Sequence, residues 1–384
     1  MGIWGSRGAL LSKSLFLLLI ATSCGRPQAK SNLTVSDVAH TPVKRESIGN
    51  CWLYATSTWA ESLHLSATNN VVNLSESYWT YWDWYYKITG SSGSKINTSG
   101  SWQAASRIIS KHGYMLEGDF IPGEADKEIS TTQKSAEAAI NLALSTGALK
   151  DPTSRTQKNT LAALDQAFGV NLSSLQEKIY PASKLQTSAA DNGRSFTLAD
   201  EIQGGRHQWL SLGYPQLFGQ NPRETLRVRR QRRLIMDRVL RAVNEKKPVI
   251  MSTMVEFSAL STDGPSTFDY NLYLNKGYSS GQGGHLVVLE DYVVDNVPGV
   301  GRIGEGEVSP SLKEAALQGE VDYLLVKNSW GTDRPERGLT DGYTRFKMDY
   351  LNMPLPFGLE DGDSNISHGS WYSALSNFVI PPEF

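Results

Sequence analysis

The hydrophobic pattern of this 384-residue chain changes its period near Pro248, and that change constrains the fold more than any other feature. Before this proline, apolar residues recur at the spacing of amphipathic helices, as in "CWLYATSTWAESLHL" from Cys51. After it, β-rich runs such as "PVIMSTMV" and "HLVVLEDYVVD" are separated by glycine-rich loops. Because helices come first and strands second, the pattern predicts an α+β fold with two halves.

The N-terminal residues have the pattern of an export signal. Arg7 and Lys13 supply positive charge around an apolar run, "LFLLLIAT", that is too short to span a bilayer. We therefore expect residues 1–23 to be a signal peptide and residues 24–40 to be a polar tether.

Cys24 follows the apolar run directly, in "IATSCGRPQ". This stretch resembles a bacterial lipoprotein box, in which the cysteine becomes the acylated first residue and can anchor the protein to a membrane. Ala21 and Ser23 also suit ordinary signal cleavage, so a secreted or periplasmic protein is the alternative. If Cys24 is acylated, Arg26, the second residue after the cysteine, favours the outer membrane by the same resemblance.

Cys51 has no evident disulfide partner, because the other cysteine of the chain is Cys24. An unpaired cysteine is either buried and inert or chemically used. The pattern predicts Cys51 in the first turn of a helix, where the helix dipole and exposed backbone N–H groups stabilise a thiolate. A neighbouring imidazolium would lower the pKa of the thiol further, so a nucleophilic role requires a histidine.

Among the six histidines, His285 is the best candidate for that partner. It begins an apolar strand and follows "SSGQGG", a loop with little side-chain bulk, although a histidine at this place can also be structural. Asn328 comes at the end of a β-rich run in "VKNSWG", and its amide could accept the N–H bond that fixes an imidazole. Trp330 would screen the pair from water. Cys51, His285 and Asn328 are therefore the predicted catalytic residues.

Other classes of site fit the sequence less well. A formal net charge of −2 argues against nucleic acid as a partner. The stretch "GVGRIG" matches a dinucleotide-binding motif as text, but a loop follows it where that motif needs a helix. The histidines show no metal-ligand spacing, and one cysteine cannot build a zinc site, so we expect no metal.

Three segments together resemble the signatures of papain-like cysteine peptidases (clan CA, family C1): "PVKRESIGNCW", His285 before "LVVLEDY", and "VKNSWG" with "DGYTRF". The stretches "NLSESYWTYWDWYY" and "GSWQAASRIISKHGY" are more similar to the bleomycin hydrolase and aminopeptidase C branch. The resemblance covers residues 41–118 and 247–350. It implies a papain-like two-lobe fold, with a helical left lobe and a β-barrel-like right lobe.

The resemblance also implies a division of the peptidase domain, residues 41–384. Cys51 and His285 are farther apart than the about 130–150 residues of compact relatives, which leaves room for an insertion. We expect a helical lobe at 41–118, a helical insertion at 119–246, a β lobe at 247–350 and a C-terminal tail at 351–384.

The insertion contains an arginine-rich stretch, "NPRETLRVRRQRRLIMDRVL". Asn221 is the expected helix cap, with Glu224 completing a capping box. Apolar residues at helical spacing, such as Val239, predict that the arginines form the solvated face.

The chain departs from the resemblance just before Cys51. Papain-like enzymes have a Gln there whose amide helps to hold the oxyanion, and here the corresponding residue is Glu46 or Arg45, depending on how the segments are aligned. An ionised Glu46 would repel an oxyanion, whereas Arg45 would stabilise it. Loss of one such donor costs about 3–4 kcal/mol. The N–H of Cys51 would remain as a donor.

The resemblance implies a cysteine peptidase that acts on peptide or protein substrates through a thioester acyl-enzyme, without an organic cofactor, and the N-terminal pattern adds export. The departure at Glu46 or Arg45 motivates the alternative, a weakly active or inactive papain-fold binding or scaffold protein of the cell envelope. Another acyl transfer through the same thiol, such as transamidation, is a third possibility. Endopeptidase and aminopeptidase action are both compatible with the sequence.

Overall fold

The structure is a computed structural model that describes residues 38–189, 195–279, 281–306, 309–358 and 369–384. The predicted signal peptide, Cys24 and most of the predicted tether lie outside these residues. Across the described ranges, no helix combines the length and the apolar character needed to cross a membrane.

Helices dominate the first two thirds of the described chain, and serine side chains cap several of them. The Ser75 hydroxyl accepts a bond from the Tyr78 N–H, and the Ser101 hydroxyl accepts one from Ala104. The α-helices are α1 (Cys51–Thr68), α2 (Glu76–Thr89), α3 (Trp102–His112), α4 (Glu117–Phe120), α5 (Thr131–Ser145), α6 (Gln157–Phe168), α7 (Leu198–Ile202), α8 (Leu226–Asn244), α9 (Tyr270–Lys276), α10 (Pro310–Ala316) and α11 (Met348–Asn352). Short 3-10 helices cover Pro122–Glu124, Pro152–Ser154, Leu172–Lys178, Ala182–Lys184, Phe257–Ala259 and Pro335–Arg337.

Strands follow mainly after Pro248, as the change of period predicts. They are β1 (Leu210–Gly213), β2 (Ile250–Glu256), β3 (Leu260–Ser261), β4 (Thr267–Phe268), β5 (Gln282–Val297), β6 (Gly301–Ile303), β7 (Glu320–Lys327), β8 (Tyr343–Lys347), β9 (Pro354–Phe357), β10 (Ser370–Ser373) and β11 (Leu375–Ile380). The main sheet has the order β1-β11-β2-β5-β7-β8-β4-β3, with β6 paired to β5, while β9 and β10 form a separate pair. Neighbouring strands are antiparallel except β4 and β8, which are parallel.

The predicted α+β class is confirmed. Among the described residues the main sheet is an open path, because β1 pairs only with β11 and β3 pairs only with β4. The half that we expected to be barrel-like is therefore a long, open sheet.

The main sheet separates two hydrophobic cores. Successive residues of a strand point to opposite faces, so each central strand contributes to both cores. Helices α1 to α3 cover one face and α8 covers the other. On the side of α1 lie Ile250, Val288 and Val379, and on the side of α8 lie Met251, Val287 and Phe378.

The sheet also takes in parts of the chain that we assigned to the insertion and the tail. Strand β11, from residues 351–384, lies between β2 and β1, and β1 comes from residues 119–246. Helix α8 packs in the same core as these strands. The division into lobe, insertion and tail stays a prediction, but packing joins all three segments at this sheet.

The predicted start of the arginine-rich helix is wrong. Helix α8 begins at Leu226, and Thr225 caps it by accepting a bond from the Val228 N–H. Glu224 instead binds the guanidinium of Arg232, with an N–O distance of 3.2 Å. Arg232 is 5% exposed, so this one arginine is buried, and its need for a carboxylate accounts for the use of Glu224.

Trp59 of α1 is a sensitive point of the helical core. Its side chain is fully buried and meets Trp102 and Trp209 edge-to-face, with ring centroids 6.1 and 5.1 Å away. We expect Trp59→Ala to lower the free energy of unfolding by about 3–5 kcal/mol, because it leaves a large cavity. Denaturant titration measures the change, with Leu142→Ala, at a 64% exposed position, as the control. A loss below about 1 kcal/mol would contradict this packing.

Candidate active site

Cys51 is the first residue of α1, as predicted. The preceding Asn50 does not cap the helix with its side chain. Its Nδ2 instead donates to Thr80 Oγ1 at 3.0 Å and to Gln133 Oε1 at 2.9 Å, inside the helical core. These two bonds hold Asn50 in place and so help to position Cys51 at the start of α1.

The Cys51 thiol lies against β5 beside His285. Its Sγ is 3.9 Å from the carbonyl oxygen of Gly284, and the Leu286 N–H also approaches the sulfur. These two residues flank His285 in the strand. The structure therefore brings together the predicted nucleophile and the predicted histidine, which are far apart in sequence.

His285 is held by Asn328, the first residue after β7. His285 Nε2 and Asn328 Oδ1 are 2.8 Å apart. Asn328 Nδ2 donates to Thr344 Oγ1 at 3.0 Å, and the Ser329 N–H donates to Asn328 Oδ1 at 2.8 Å. Both bonds orient the amide so that its oxygen faces the ring. Nε2 is then the protonated nitrogen, and Nδ1 is left to accept a proton.

The Trp330 ring lies against His285. It stacks on the His285 ring at a centroid distance of 4.8 Å and an interplanar angle of 22°. The Arg337 guanidinium lies 4.5 Å from the Trp330 ring and 4.7 Å from the Phe257 ring. Sequence reasoning missed Arg337 and Phe257, because stacking between distant loops leaves no local spacing to detect.

The structure also distinguishes between Glu46 and Arg45. The Glu46 N–H donates to the Ser329 carbonyl at 2.8 Å, and its carboxyl group acts electrostatically on the Cys51 thiol. The Arg45 side chain instead packs against Gly331, where an added Cβ would lie 3.0 Å from Arg45 Cδ. Adjacent residues of an extended segment point to opposite sides, and of these two residues it is Glu46 whose charge acts on the thiol.

The predicted lowering of the Cys51 pKa is wrong. Burial raises the pKa of the Cys51 thiol to about 12, and the charge of an ionised Glu46 acts in the same direction. The N–H groups of Leu286, Trp52 and Cys51 oppose this rise in pKa without overcoming it. Cys51 is 8% exposed, so desolvation outweighs the favourable helix terminus.

His285 is also held in its neutral form. Burial lowers the pKa of His285 to about 4, and the charge of Arg337 lowers it further, against the hydrogen bond with Asn328. At neutral pH, the resting pair is therefore a thiol and a neutral imidazole. Such a pair can generate a nucleophile when the imidazole accepts the thiol proton during attack.

Two buried acidic residues of the helical half, Glu61 of α1 and Glu76 of α2, share a lysine. Lys44 Nζ binds Glu61 Oε1 at 2.8 Å and Glu76 Oε1 at 2.6 Å, so a lysine occupies the place between the two carboxylates. In the part of the chain that the structure describes, no group of histidine, cysteine and acidic side chains is arranged to hold a metal ion.

Comparison with known proteins yields similarity in structure only. No family model and no curated protein matches the sequence. PepW from Lactobacillus rhamnosis is 13% identical, with 92% of this chain and 82% of that chain covered and a TM-score of 0.47. Xylellain, a cysteine protease from Xylella fastidiosa, is 12% identical, with 91% and 86% covered and a TM-score of 0.37. The Carica candamarcensis cysteine protease CMS1MS2 is 15% identical, with 89% and 92% covered and a TM-score of 0.30. With values this low, function has to be inferred from the geometry of the site.

Proposed function

We propose that this chain is a cysteine peptidase that hydrolyses peptide bonds of peptide or protein substrates. Cys51 is the nucleophile, His285 carries the proton, and Asn328 orients His285. The observation that supports this most is the 2.8 Å bond between His285 Nε2 and Asn328 Oδ1, beside a thiol at a helix start. That bond leaves Nδ1 as the base of a nucleophile–base–orienter arrangement.

In the first half-reaction, Cys51 Sγ attacks the carbonyl carbon of the scissile bond while His285 Nδ1 takes the thiol proton. The carbonyl π electrons move to the oxygen, which becomes an oxyanion. The oxyanion collapses, the C–N bond breaks, and His285 returns its proton to the leaving amine. The product is a thioester between the acyl group and Cys51.

In the second half-reaction, His285 takes a proton from water as the water oxygen attacks the thioester carbon. Collapse of this second oxyanion breaks the C–S bond, and the proton returns from His285 to Cys51 Sγ. The acid product leaves, and the resting pair is restored. Trp330 stacks on His285 throughout and limits the access of bulk water to the ring.

The alternative is a papain-fold binding or scaffold protein with little hydrolysis. The low exposure of the pair favours it, because Cys51 is 8% exposed and His285 is 3% exposed. Substrate must then reach a nearly closed site. The two functions differ in turnover, since a scaffold would bind peptides without cleaving them.

Peptide cleavage in H₂¹⁸O tests the proposal. The purified chain is incubated with a mixed peptide library and with an unfolded protein, and products are mapped by mass spectrometry. We expect new carboxyl termini that carry ¹⁸O, because water completes the second half-reaction. An added amine that replaces water at those termini would instead identify transamidation. Binding without new termini would support the scaffold.

We also propose export, with Cys24 as a lipid attachment site, on the basis of the N-terminal sequence alone. We expect the wild-type chain to enter the detergent phase on partitioning, because acyl chains provide the anchor. Cys24→Ser should move it to the aqueous phase. The mass of the mature N-terminus checks processing, and a retained segment 1–23 would contradict export. An unmodified Cys24 at the mature N-terminus would indicate plain secretion.

A further inference from the structure

We propose that Glu46 acts as a protonated carboxylic acid that donates a hydrogen bond to the oxyanion formed on attack by Cys51. This inference rests on the proposed peptidase function. It reverses the expectation from the sequence, in which a glutamate at this place would repel the oxyanion.

The position of Glu46 supports this role. Its N–H is bonded to the Ser329 carbonyl at 2.8 Å, directly after Asn328, so its backbone is fixed relative to the orienting residue. Residues 46–50 then turn into α1, with the Asn50 N–H bonded to the Ile48 carbonyl at 2.9 Å. Hydrogen bonding with the Trp330 side chain places the Glu46 carboxyl group beside the ring that stacks on His285, and an ionised Glu46 would act electrostatically on Cys51 and Tyr54 of α1.

One oxygen of this carboxyl group has no partner. Glu46 Oε2 is buried and makes no hydrogen bond to any described residue. Buried polar atoms are nearly always hydrogen-bonded, and an orphan at a reactive site calls for an explanation. An oxyanion on the acyl group attached to Cys51 would supply the missing partner, provided that the carboxyl group carries a proton.

The surroundings of Glu46 keep that proton in place. Burial raises the pKa of Glu46 to about 8, although hydrogen bonding with the Trp330 side chain and the charge of Arg337 act in the opposite direction. The titratable or charged groups that interact with it electrostatically are Arg337 from the loop after β7, and Cys51 and Tyr54 from α1. Burial raises the pKa of Tyr54 well above its usual range, so Tyr54 adds no charge at neutral pH. Arg337 is thus the one cation among these groups.

With Glu46 protonated, the oxyanion has two donors. The first is the Cys51 N–H, which is one of the N–H groups left without an acceptor inside the helix. The second is the Glu46 O–H, which donates without giving up its proton, so the acid is unchanged after each half-reaction. A carboxylic acid kept neutral by an apolar site is an established type of oxyanion donor.

The sign of the pH dependence follows from these groups. The active form has a neutral His285 and a protonated Glu46. Activity should fall below about pH 4, as His285 gains a proton, and above about pH 8, as Glu46 loses one. Ionised Glu46 also raises the pKa of Cys51, so both effects of deprotonation reduce the rate.

Two substitutions test the donor role. Glu46→Gln keeps a donor that does not titrate, so we expect kcat at pH 7 within about threefold of wild type and no fall above pH 8. Glu46→Leu has no donor, and we expect kcat to fall about 10²–10³-fold with little change in KM. Circular dichroism checks that both variants fold, and Glu46→Gln remains decisive if Glu46→Leu does not. A fall above pH 8 in Glu46→Gln would overturn the donor role.

A second readout separates this inference from the proposed function. Infrared difference spectra of wild type minus Glu46→Gln should show a protonated carboxyl band at pH 6 that disappears above pH 8. An ionised carboxyl group at pH 6 in an enzyme that cleaves peptides would overturn the donor role alone. A protonated group in a protein that cleaves none would overturn the peptidase function, and the donor role with it.

Discussion

Cys51→Ala should reduce kcat/KM for peptide cleavage by at least about 10⁴-fold, because it removes the atom that forms the thioester. Binding and the oxyanion donors would remain, and alone they leave only a small residual rate. Steady-state cleavage of a fluorogenic peptide measures the effect. The matched control is Ser66→Ala, at an exposed position of the same helix, which should retain wild-type activity.

The same pair of variants distinguishes the two candidate functions. A scaffold would show no turnover in the wild type, so Cys51→Ala would change nothing. Cleavage by Cys51→Ala within tenfold of wild type would instead show that another group acts as the nucleophile. Either result would show that Cys51 is not the nucleophile of a peptidase reaction.

His285→Ala should reduce kcat by about 10⁴-fold, because the thiol then has no base. Burial keeps the pKa of Cys51 at about 12, so almost no thiolate forms at pH 7 without help. Asn328→Ala should cost less, about 10–100-fold, since it removes one hydrogen bond while Trp330 still holds the ring. Single-turnover kinetics separate the acylation step from product release.

The control for the histidine is His64→Ala. His64 lies on α1, and its Nδ1 bonds the Gln186 carbonyl at 2.8 Å, outside the site. We expect it to leave kcat unchanged. A loss in His285→Ala of less than tenfold, or a larger loss in Asn328→Ala than in His285→Ala, would contradict the assigned roles.

Much of the candidate site could be predicted because each residue has a local signature. Cys51 stands where an apolar helical pattern begins, and Asn328 stands where a β-rich run ends. His285 is the fourth residue of β5, where the apolar run of that strand begins. Local patterns give the elements and their ends, and the structure brings those ends together.

The choice between Glu46 and Arg45 could not be made from the sequence. A shift of one residue in an extended segment moves a side chain to the opposite face. Backbone bonds to distant parts of the chain fix that register, among them the bonds from the Glu46 N–H to the Ser329 carbonyl and from the Arg45 N–H to the Glu128 carbonyl. The place of β11 between β1 and β2 could not be predicted either, because the local sequence of the tail does not indicate which strands β11 pairs with.

The direction of the thiol pKa was missed for a different reason. A helix start is visible in the sequence, and its effect on a thiolate has a known sign. The burial of the Cys51 thiol is set by the packing of α1 against β5, and the sequence does not reveal it. In this site burial is the larger effect, so the Cys51 pKa rises instead of falling.

Covalent labelling with a peptidyl epoxide tests most directly whether Cys51 and His285 act together. In the epoxide opening, His285 takes the thiol proton, Cys51 Sγ bonds to an epoxide carbon, the C–O bond breaks, and His285 returns the proton to the oxygen that is released. We expect one label per chain, mapped to Cys51, and a labelling rate at least about 10²-fold lower in His285→Ala. Equal rates in the two proteins, or a label at any residue other than Cys51, would contradict the proposed peptidase.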